Sequence, residues 1–558
     1  MNRYLYKNKM NICMYFIIAI VTYIAVTFIY KMYGIITTII DDRDYRGAKN
    51  VILMSIIVLI TLLVTLIANS FINRCILNNI SIELRKDILD KVYSLEYEQY
   101  SKKSSSYYVS MIVNDVDLLE TSYFANIIEF ISDSIQLIVM LFAISLIGWQ
   151  YTIIICIFSV FTVVQPYVLK RKLAFAGDKQ SSQLEKYTSN TNELINGFSV
   201  IKGVGKDSIF KSLFGNSSLN LENAKNNLLN IKATSALLSL ISVNILRVGG
   251  QLFFAYSSVN KIIVASTVAV LMGLINNISN PISQLLSYIE PINSTSEIRK
   301  KILNFLDEDT KNDNREKHIG DFEQLEVKNL SFAYSDSDDK VLKNISLTFE
   351  KGKKYALLGE SGCGKSTVLK VLMGYYDNYE GNISFNGKEI KNIDKDSIRK
   401  KISYISQNNF VIDDNLFNNL TLGNKEYKND QLEQVIYDTG LQQVVGNYKE
   451  SSNVKNLSGG EKQRIGVARA LLKKSNIIFM DEGTSALDSV TASIIEKNIL
   501  LDKDRTLVAV LHKFNETIKM YDVIYYIKDG YVKEAGSYIE LMNLRGDFYK
   551  NIIGGENN

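Results

Sequence analysis

The first half of the chain contains apolar runs that are too long for the interior of a small soluble domain. Residues 14–30 and 51–73 carry no charged side chain, and residues 134–169 are uncharged throughout. About 20 apolar residues in a helix cross the roughly 30 Å hydrocarbon core of a bilayer. This half is therefore predicted to be a helical domain embedded in the lipid bilayer.

Six spans account for these runs. Residues 134–169 are too many for one span, so we divide them at Gly148-Trp149-Gln150. The third span then begins near Ala125 and takes Glu129 and Asp133 into its first turns. Two less apolar segments, joined through Asn260-Lys261, complete the set. The predicted spans are approximately residues 14–34, 51–73, 125–147, 150–169, 234–256 and 262–282.

Basic residues predict the orientation of these spans. Residues 1–13, 74–124 and 170–232 contain 3, 6 and 10 Lys and Arg residues, whereas the alternate loops contain only Arg43, Arg46, Lys49 and Lys261. Basic loops stay on the cytoplasmic side, so both termini are expected in the cytoplasm. The abundance of Ile, Asn, Lys and Tyr is typical of an AT-rich bacterial genome. We therefore expect a multi-pass protein of a bacterial cytoplasmic membrane.

The second half has the composition of a soluble α/β domain. Residues 307–317 are polar throughout, which is typical of a linker. We predict a membrane domain at residues 1–306, a linker at 307–321 and a second domain at 322–558. The net charge of +4 is too balanced to indicate a nucleic-acid partner. Two histidines and four scattered cysteines argue against a metal centre built from these residues.

A phosphate-binding loop follows a predicted strand in this second domain. The strand YALLG runs into GESGCGKST, residues 359–367, which fits the pattern GxxxxGK[ST]. Glycines let backbone N–H groups wrap a phosphate, a lysine reaches the β- and γ-phosphates, and the Ser or Thr hydroxyl ligates Mg²⁺. The predicted ATP contacts are Gly359, Glu360, Ser361, Gly362, Cys363, Gly364, Lys365, Ser366 and Thr367, with Ser366 also binding Mg²⁺.

A second strand ends in two acidic residues. The segment NIIFMDE, residues 476–482, is an apolar run that ends in Asp481 and Glu482. Ligands of open α/β sheets bind at the carboxyl ends of the strands. Asp481 is expected to hold Mg²⁺, and Glu482 is expected to act as the general base that polarises the attacking water.

Between these two motifs lies LSGGEKQR, residues 457–464. With this segment the chain resembles the ATP-binding cassette (ABC) transporter family, and six spans before one cassette resemble its exporter half-transporters. The resemblance implies a multi-domain fold, with an all-α six-helix transmembrane domain followed by an α/β P-loop NTPase cassette. It implies ATP and Mg²⁺ as cofactors and a second half-transporter as partner.

The resemblance also implies roles for individual residues. Tyr334 would stack on adenine. Gln407 would contact Mg²⁺ and the attacking water, and His512 would contact the γ-phosphate. Four residues would belong to the interface with a second cassette, where the first three bind the partner's ATP: Ser458, Gly459, Gly460 and Asp488.

Parts of the chain depart from the family pattern or extend it. Gly483 stands where the family usually has alanine, and residues 448–456 form a shortened segment before the signature motif. Residues 110–120 and 192–210 resemble the inside loops whose tips contact the cassette near Gln407.

Arg247 lies within a predicted span, where a charge is costly. We expect it to pair with Glu129 or Asp133 or to contact substrate.

The sequence leaves three questions open. The transported molecule could be a peptide, a lipid or an amphiphilic small molecule. The dimer could contain two copies of this chain or one copy and a different partner. An importer on the same fold, for example for a metal chelate, is the alternative to an exporter.

Overall fold

The computed structural model describes residues 1–42, 45–205, 207–260, 262–308, 315–334, 339–407, 409–424, 426–442, 444, 454, 457–511 and 516–556. The chain divides into two compact units. The first unit consists of Met1–Ser94 and Lys103–Asp309. The second unit consists of Leu95–Lys102 and Thr310–Asn558.

Six long helices form the first unit within the described residues. They are α1 (Lys9–Asp42), α2 (Tyr45–Ser94), α3 (Ala125–Ile147), α4 (Trp149–Asn196), α5 (Asp207–Val259) and α6 (Ala265–Ser294). Shorter elements are the helices Asn2–Lys7, Ser105–Ser110, Val116–Leu119, Phe198–Val204 and Ser296–Asp307 and the π-helical turns Met111–Asp115 and Glu120–Phe124.

The predicted spans all fall on these six helices, except that residues 262–264 precede α6. Among the described residues, four stretches are long and apolar enough to cross a membrane by length and composition: Lys9–Ile40, Arg46–Ser94, Ser105–Ile147 and Lys211–Val259. Helices α2, α4 and α5 have 50, 48 and 53 residues. Each is more than twice the length that crosses the hydrocarbon core, so these helices extend beyond it.

Polar side chains connect the membrane helices to one another. Asn73 donates to Glu129 at 3.0 Å, and Tyr288 donates to Asp133 at 3.0 Å. Arg247 Nε is buried without a hydrogen-bond partner. Within the described part of the chain, no ion pair joins Arg247 to either acid. The expected pairing is therefore wrong, and amide and phenol groups satisfy the two carboxylates instead.

Two sheets organise the second unit. Its strands are β1 (Gln324–Phe332), β2 (Leu342–Glu350), β3 (Lys354–Gly359), β4 (Glu380–Phe385), β5 (Lys388–Glu389), β6 (Ile402–Ile405), β7 (Ile477–Asp481), β8 (Thr506–Val510), β9 (Val523–Lys528) and β10 (Tyr531–Gly536). An antiparallel sheet has the order β2-β1-β4-β5. A six-stranded sheet has the order β10-β9-β3-β8-β7-β6 and is parallel except for the β9–β10 pair.

The second unit also contains helices. Three are used below: α7 (Lys365–Leu372), α8 (Gly459–Leu472) and α9 (Ser489–Leu501). The others are Tyr97–Ser101, Lys395–Lys401, Leu416–Thr421, Asn429–Asp438, Tyr538–Leu544 and Asp547–Glu556, with 3₁₀ turns at Ile390–Asn392 and Glu516–Met520.

The central parallel strands are buried on both faces. In β7, Phe479 packs into one hydrophobic cluster and Ile478 into a second cluster on the opposite face. In β8, Val508 and Leu507 divide in the same way. A strand that is covered on both sides has no solvent-facing positions, which explains the continuous apolar run before Asp481.

A short segment from the first half of the sequence belongs to the second unit. The Tyr97 ring stacks on the Tyr375 ring with centroids 4.2 Å apart. Arg315 donates to Glu96 at 3.2 Å and to Asp377 at 2.7 Å. Leu95–Lys102 belongs to the second unit, whereas residues 110–120 belong to the first. The resemblance of residues 110–120 and 192–210 to inside loops stays a prediction.

Truncation of a core residue of β7 should destabilise the second unit. Phe479 is fully buried, and Phe→Ala in a core costs about 3–5 kcal/mol. We expect Phe479→Ala to lower the melting temperature by about 10 °C, measured by circular dichroism of the purified chain. Val490→Ala, at an exposed position of α9, should leave it unchanged. Equal melting temperatures for the two variants would contradict this account of the core.

Candidate nucleotide site

The carboxyl ends of three parallel strands carry the predicted site. The phosphate loop, residues 359–367, begins at the end of β3, and Asp481 ends β7. Gln407 lies two residues beyond β6, which pairs with β7. Because these strands run in the same direction, their loops meet at one edge of the sheet.

The phosphate loop folds around its own lysine. Lys365 is 4% exposed, and its ammonium group donates to the carbonyl oxygens of Gly359 at 2.9 Å and Glu360 at 2.8 Å. Gly364 has φ +105°, and a Cβ there would lie 2.6 Å from a Leu342 methyl group, so only glycine fits before α7. The loop thus holds a cation at the N-terminus of a helix, the arrangement that favours phosphate.

A hydroxyl–carboxylate pair joins the phosphate loop to β7. Ser366 Oγ donates to Asp481 Oδ1 at 2.7 Å, and Asp481 is buried. Tyr404, in β6, donates to the other oxygen of Asp481 at 3.2 Å. Burial and the neighbouring Asp481 charge raise the pKa of Tyr404 above its ordinary value, so the phenol remains a donor. The sequence analysis missed Tyr404, since nothing in the local sequence marks it.

The predicted general base has a defined partner. Gln407 Nε2 donates to Glu482 Oε2 at 2.9 Å, although the two residues are 75 positions apart. Glu482 has φ +52°, a left-handed conformation that non-glycine residues rarely adopt. Such strain persists only where surrounding contacts fix it, and it concentrates at functional sites.

The signature segment forms the start of α8. Ser458 caps the helix by accepting from the Glu461 backbone N–H, and Glu461 accepts from the Ser458 N–H in return. Ser458 and Gly459 are exposed, and Gly460 is half-buried. Across the described residues, no hydrogen bond joins these three residues to the phosphate loop. The N–H groups at the start of α8 are therefore not bonded to the phosphate loop of the same chain.

Gln463 connects α8 to the loop after β7, which the sequence analysis did not anticipate. Its amide donates to the Glu482 carbonyl at 3.2 Å and to Ser485 Oγ at 3.1 Å. Its amide oxygen accepts from the Ala486 N–H at 2.8 Å. Gln463 is 3% exposed, so these bonds are shielded from water. They fix the backbone of the predicted general base.

A buried glutamate, also missed from sequence, holds two further segments together. Glu496 of α9 is 3% exposed. Its carboxylate accepts from Thr484 Oγ1 at 2.6 Å and from Thr517 Oγ1 at 2.8 Å. Thr484 follows β7 and Thr517 follows β8, so one side chain aligns the loops at the ends of two neighbouring strands.

The remaining predicted residues have separate positions. Tyr334 packs edge-on against Phe332 and Tyr376, and its hydroxyl lies 2.8 Å from Thr367 Oγ1. Asp488 caps α9 by accepting from the Thr491 N–H, which lowers the pKa of this carboxyl. Burial raises the pKa of the Cys363 thiol. His512 and residues 448–453 lie outside the described residues.

Comparison with known families matches both halves of the chain. The model of the ABC transporter transmembrane region matches residues 10–275, and the ABC transporter model matches residues 342–485. The two matches do not overlap and together cover well over half of the sequence. The chain belongs to the ABC transporter family. It fuses a helical membrane domain to an ATPase cassette in one polypeptide.

Curated relatives align along most of this ABC transporter. An ATP-dependent lipid A-core flippase of Pasteurella multocida is 26% identical over 89% of this chain and 87% of the flippase. The ATP-dependent lipid A-core flippase of Salmonella typhimurium is 25% identical over 92% of this chain and 90% of the flippase. The heterocyst differentiation ATP-binding protein HepA of Nostoc sp. is 26% identical over 85% and 78%.

A solved structure has the same fold. The structure of a bacterial Atm1-family ABC exporter with ATP bound superposes with a TM-score of 0.81 at 17% identity, covering 99% of this chain and 98% of that one. The chain is thus an exporter-type half-transporter that binds ATP and couples its hydrolysis to transport, as a multi-pass membrane protein. These relatives do not favour the importer alternative.

Loss of Gln463 should impair catalysis more than nucleotide affinity. Gln463→Ala removes the three hydrogen bonds to Glu482, Ser485 and Ala486. None of these residues belongs to the phosphate loop. We expect kcat for ATP to fall roughly tenfold or more with little change in KM, measured by phosphate release. Gln434→Ala, at an exposed helix position, is the matched control. A change in KM without a change in kcat would contradict this role.

Proposed function

We propose that two half-transporters pair so that each ATP lies between the phosphate loop of one cassette and the signature helix α8 of the other. The supporting observation is the exposed N-terminus of α8, which makes no hydrogen bond to its own phosphate loop among the described residues. A helix N-terminus is an anion site, so Ser458, Gly459 and Gly460 suit the γ-phosphate of a partner's ATP. Asp488 would lie at the same interface.

Within each site, the residues divide the work of hydrolysis. Lys365 and the N–H groups of the phosphate loop would hold the β- and γ-phosphates, and Tyr334 would stack on adenine. Glu482 would take a proton from the attacking water while Gln407 orients its carboxylate. His512 would contact the γ-phosphate.

The donor set also fits Mg²⁺. Ser366 Oγ and Asp481 Oδ1 lie 2.7 Å apart and are oxygen donors, which this hard cation prefers. Gln407 supplies a third oxygen-bearing side chain at the same edge of the sheet. When bound, the ion would neutralise charge on the phosphates.

The membrane half would move its substrate out of the cytoplasm. We place both termini and the cassette in the cytoplasm of a bacterium, because basic residues concentrate in the loops on that side. The flippase names of the relatives favour an amphiphilic lipid or small molecule as the substrate. Closure of the two cassettes on ATP would shift the membrane helices toward the outward-facing state.

Removal of the general base should stop turnover but not binding. In the purified chain in nanodiscs, Glu482→Gln keeps the hydrogen-bonding shape of the side chain and loses its basicity. We expect the ATPase rate to fall at least about 100-fold, with retained binding of a fluorescent ATP analogue. Turnover that survives this change would contradict the role of Glu482. Wild-type chains that bind ATP without hydrolysing it would show that a different partner chain is required.

Mixed dimers test the shared site directly. Lys365→Ala disables the phosphate loop, and Ser458→Glu places a negative charge where the partner's phosphate would bind. Each variant alone should be inactive. Co-expression should restore about a quarter of the wild-type rate, because random pairing gives half mixed dimers with one intact site each. Failure of the two variants to complement would contradict shared sites that work independently of each other.

A further inference from the structure

Two cavities that are lined by described residues of the membrane helices differ in charge. The larger has a volume of about 800 Å³ and is lined by α1, α3 and α6. The smaller, of about 550 Å³, is lined by α1 to α3 and the turn that precedes α3, and it contains Arg74, Glu120 and Glu129. Among the described residues that line the larger cavity none is acidic, and Lys31 is the single charged side chain.

Apart from Lys31 and four hydroxyl groups, the larger cavity is lined by apolar groups. Phe28, Phe142 and aliphatic side chains form its walls, and the hydroxyls of Thr27, Thr38, Ser266 and Thr267 are its remaining polar groups. Its volume is that of a site for a drug-sized or single-chain amphiphilic molecule. Helices α1 and α6 close one wall by direct contact at Gly34, where a Cβ would lie 2.6 Å from Val270 and 2.9 Å from the Ser266 carbonyl.

Lys31 has no ion-pair partner within the part of the chain that the structure describes. It lies within the apolar stretch Lys9–Ile40, with uncharged residues from 14 to 30 before it and from 32 to 40 after it. The Lys31 side chain is exposed and lies three residues before the end of the predicted span 14–34. A charged side chain within a membrane span marks a functional site by default. An ammonium group in an apolar cavity without acids favours an anionic ligand.

The geometry points to this cavity, centred on Lys31, as a binding site for an amphiphile with an apolar chain and an anionic head group such as a phosphate. The inference rests on the proposed export function and names the class of substrate. In the proposed orientation α1 runs outward, so the cavity lies in the outer half of the membrane. The acidic groups of the smaller, inner cavity disfavour the same head group there.

The chain's only tryptophan provides a direct test of binding. Trp149 lies two residues after Ile147, which lines the cavity. We would titrate the full chain in phosphatidylcholine nanodiscs with a chain-brominated dodecyl phosphate and with the phosphocholine of the same chain. Bromine quenches tryptophan at short range. We expect the wild type to reach half-maximal quenching at an about tenfold lower concentration of the phosphate than of the phosphocholine.

Substitutions at Lys31 make the test specific. Lys31→Gln should abolish this preference, and Lys31→Arg should keep it. Lys31→Glu should reverse it in favour of the matched trimethylammonium amphiphile. Lys49→Gln, which removes an exposed lysine outside the cavity, should behave as wild type. The proposal would be overturned if the wild type did not discriminate between the two head groups, or if Lys31→Gln kept the full preference for the phosphate. Either result is expected of a lysine whose side chain only extends to the membrane surface.

The readout also separates this inference from the proposed function. Quenching requires no ATP hydrolysis, and the Glu482→Gln comparison requires no amphiphile. Head-group preference that depends on Lys31 supports the site even if ATP turnover fails. Glu482-dependent turnover without that preference overturns the site and leaves ATP-driven export intact.

Discussion

Parallel pairing of β3, β8, β7 and β6 is the constraint on which the nucleotide site depends. It brings the phosphate loop, Asp481 and Gln407 to one edge of the sheet although they are widely separated in sequence. The bond between Ser366 and Asp481 spans 115 residues, and that between Gln407 and Glu482 spans 75. Loss of register in β7 would move both carboxylates, which is why burial of that strand on both faces matters for catalysis as well as stability.

Polar groups are placed differently in the membrane unit and in the cassette. In the cassette, Asp481 and Glu482 lie at the end of β7, at the edge of the sheet where ligands of such sheets bind. Among the membrane helices, Glu129 and Asp133 accept hydrogen bonds from Asn73 and Tyr288 of other helices. Lys31 makes no ion pair among the described residues and lines a cavity instead. A partnered acid contributes to helix packing, whereas a cation in an apolar cavity contributes selectivity.

Local patterns predicted the features that depend on local chemistry. The phosphate loop, the acids after β7 and the helix positions follow from glycine spacing, charge and apolar run length. Tyr404, Gln463 and Glu496 could not be found in this way, because each acts through a partner distant in sequence. Arg247 shows the same limit. The four-residue spacing correctly placed Glu129 and Asp133 on one face of α3. It could not show which helix that face packs against.

Gln463 would connect the two half-sites of the proposed dimer. In the proposed dimer, the N-terminus of α8 contacts ATP held by the partner, whereas Glu482 acts on ATP held by its own chain. Gln463 lies on α8 and binds the backbone of Glu482 and Ala486. A displacement of α8 when the partner's ATP binds or is hydrolysed would therefore shift the general base of the neighbouring site. Because these bonds are buried, they would transmit such a movement without competition from water, and the two ATP sites would then respond to each other through one side chain.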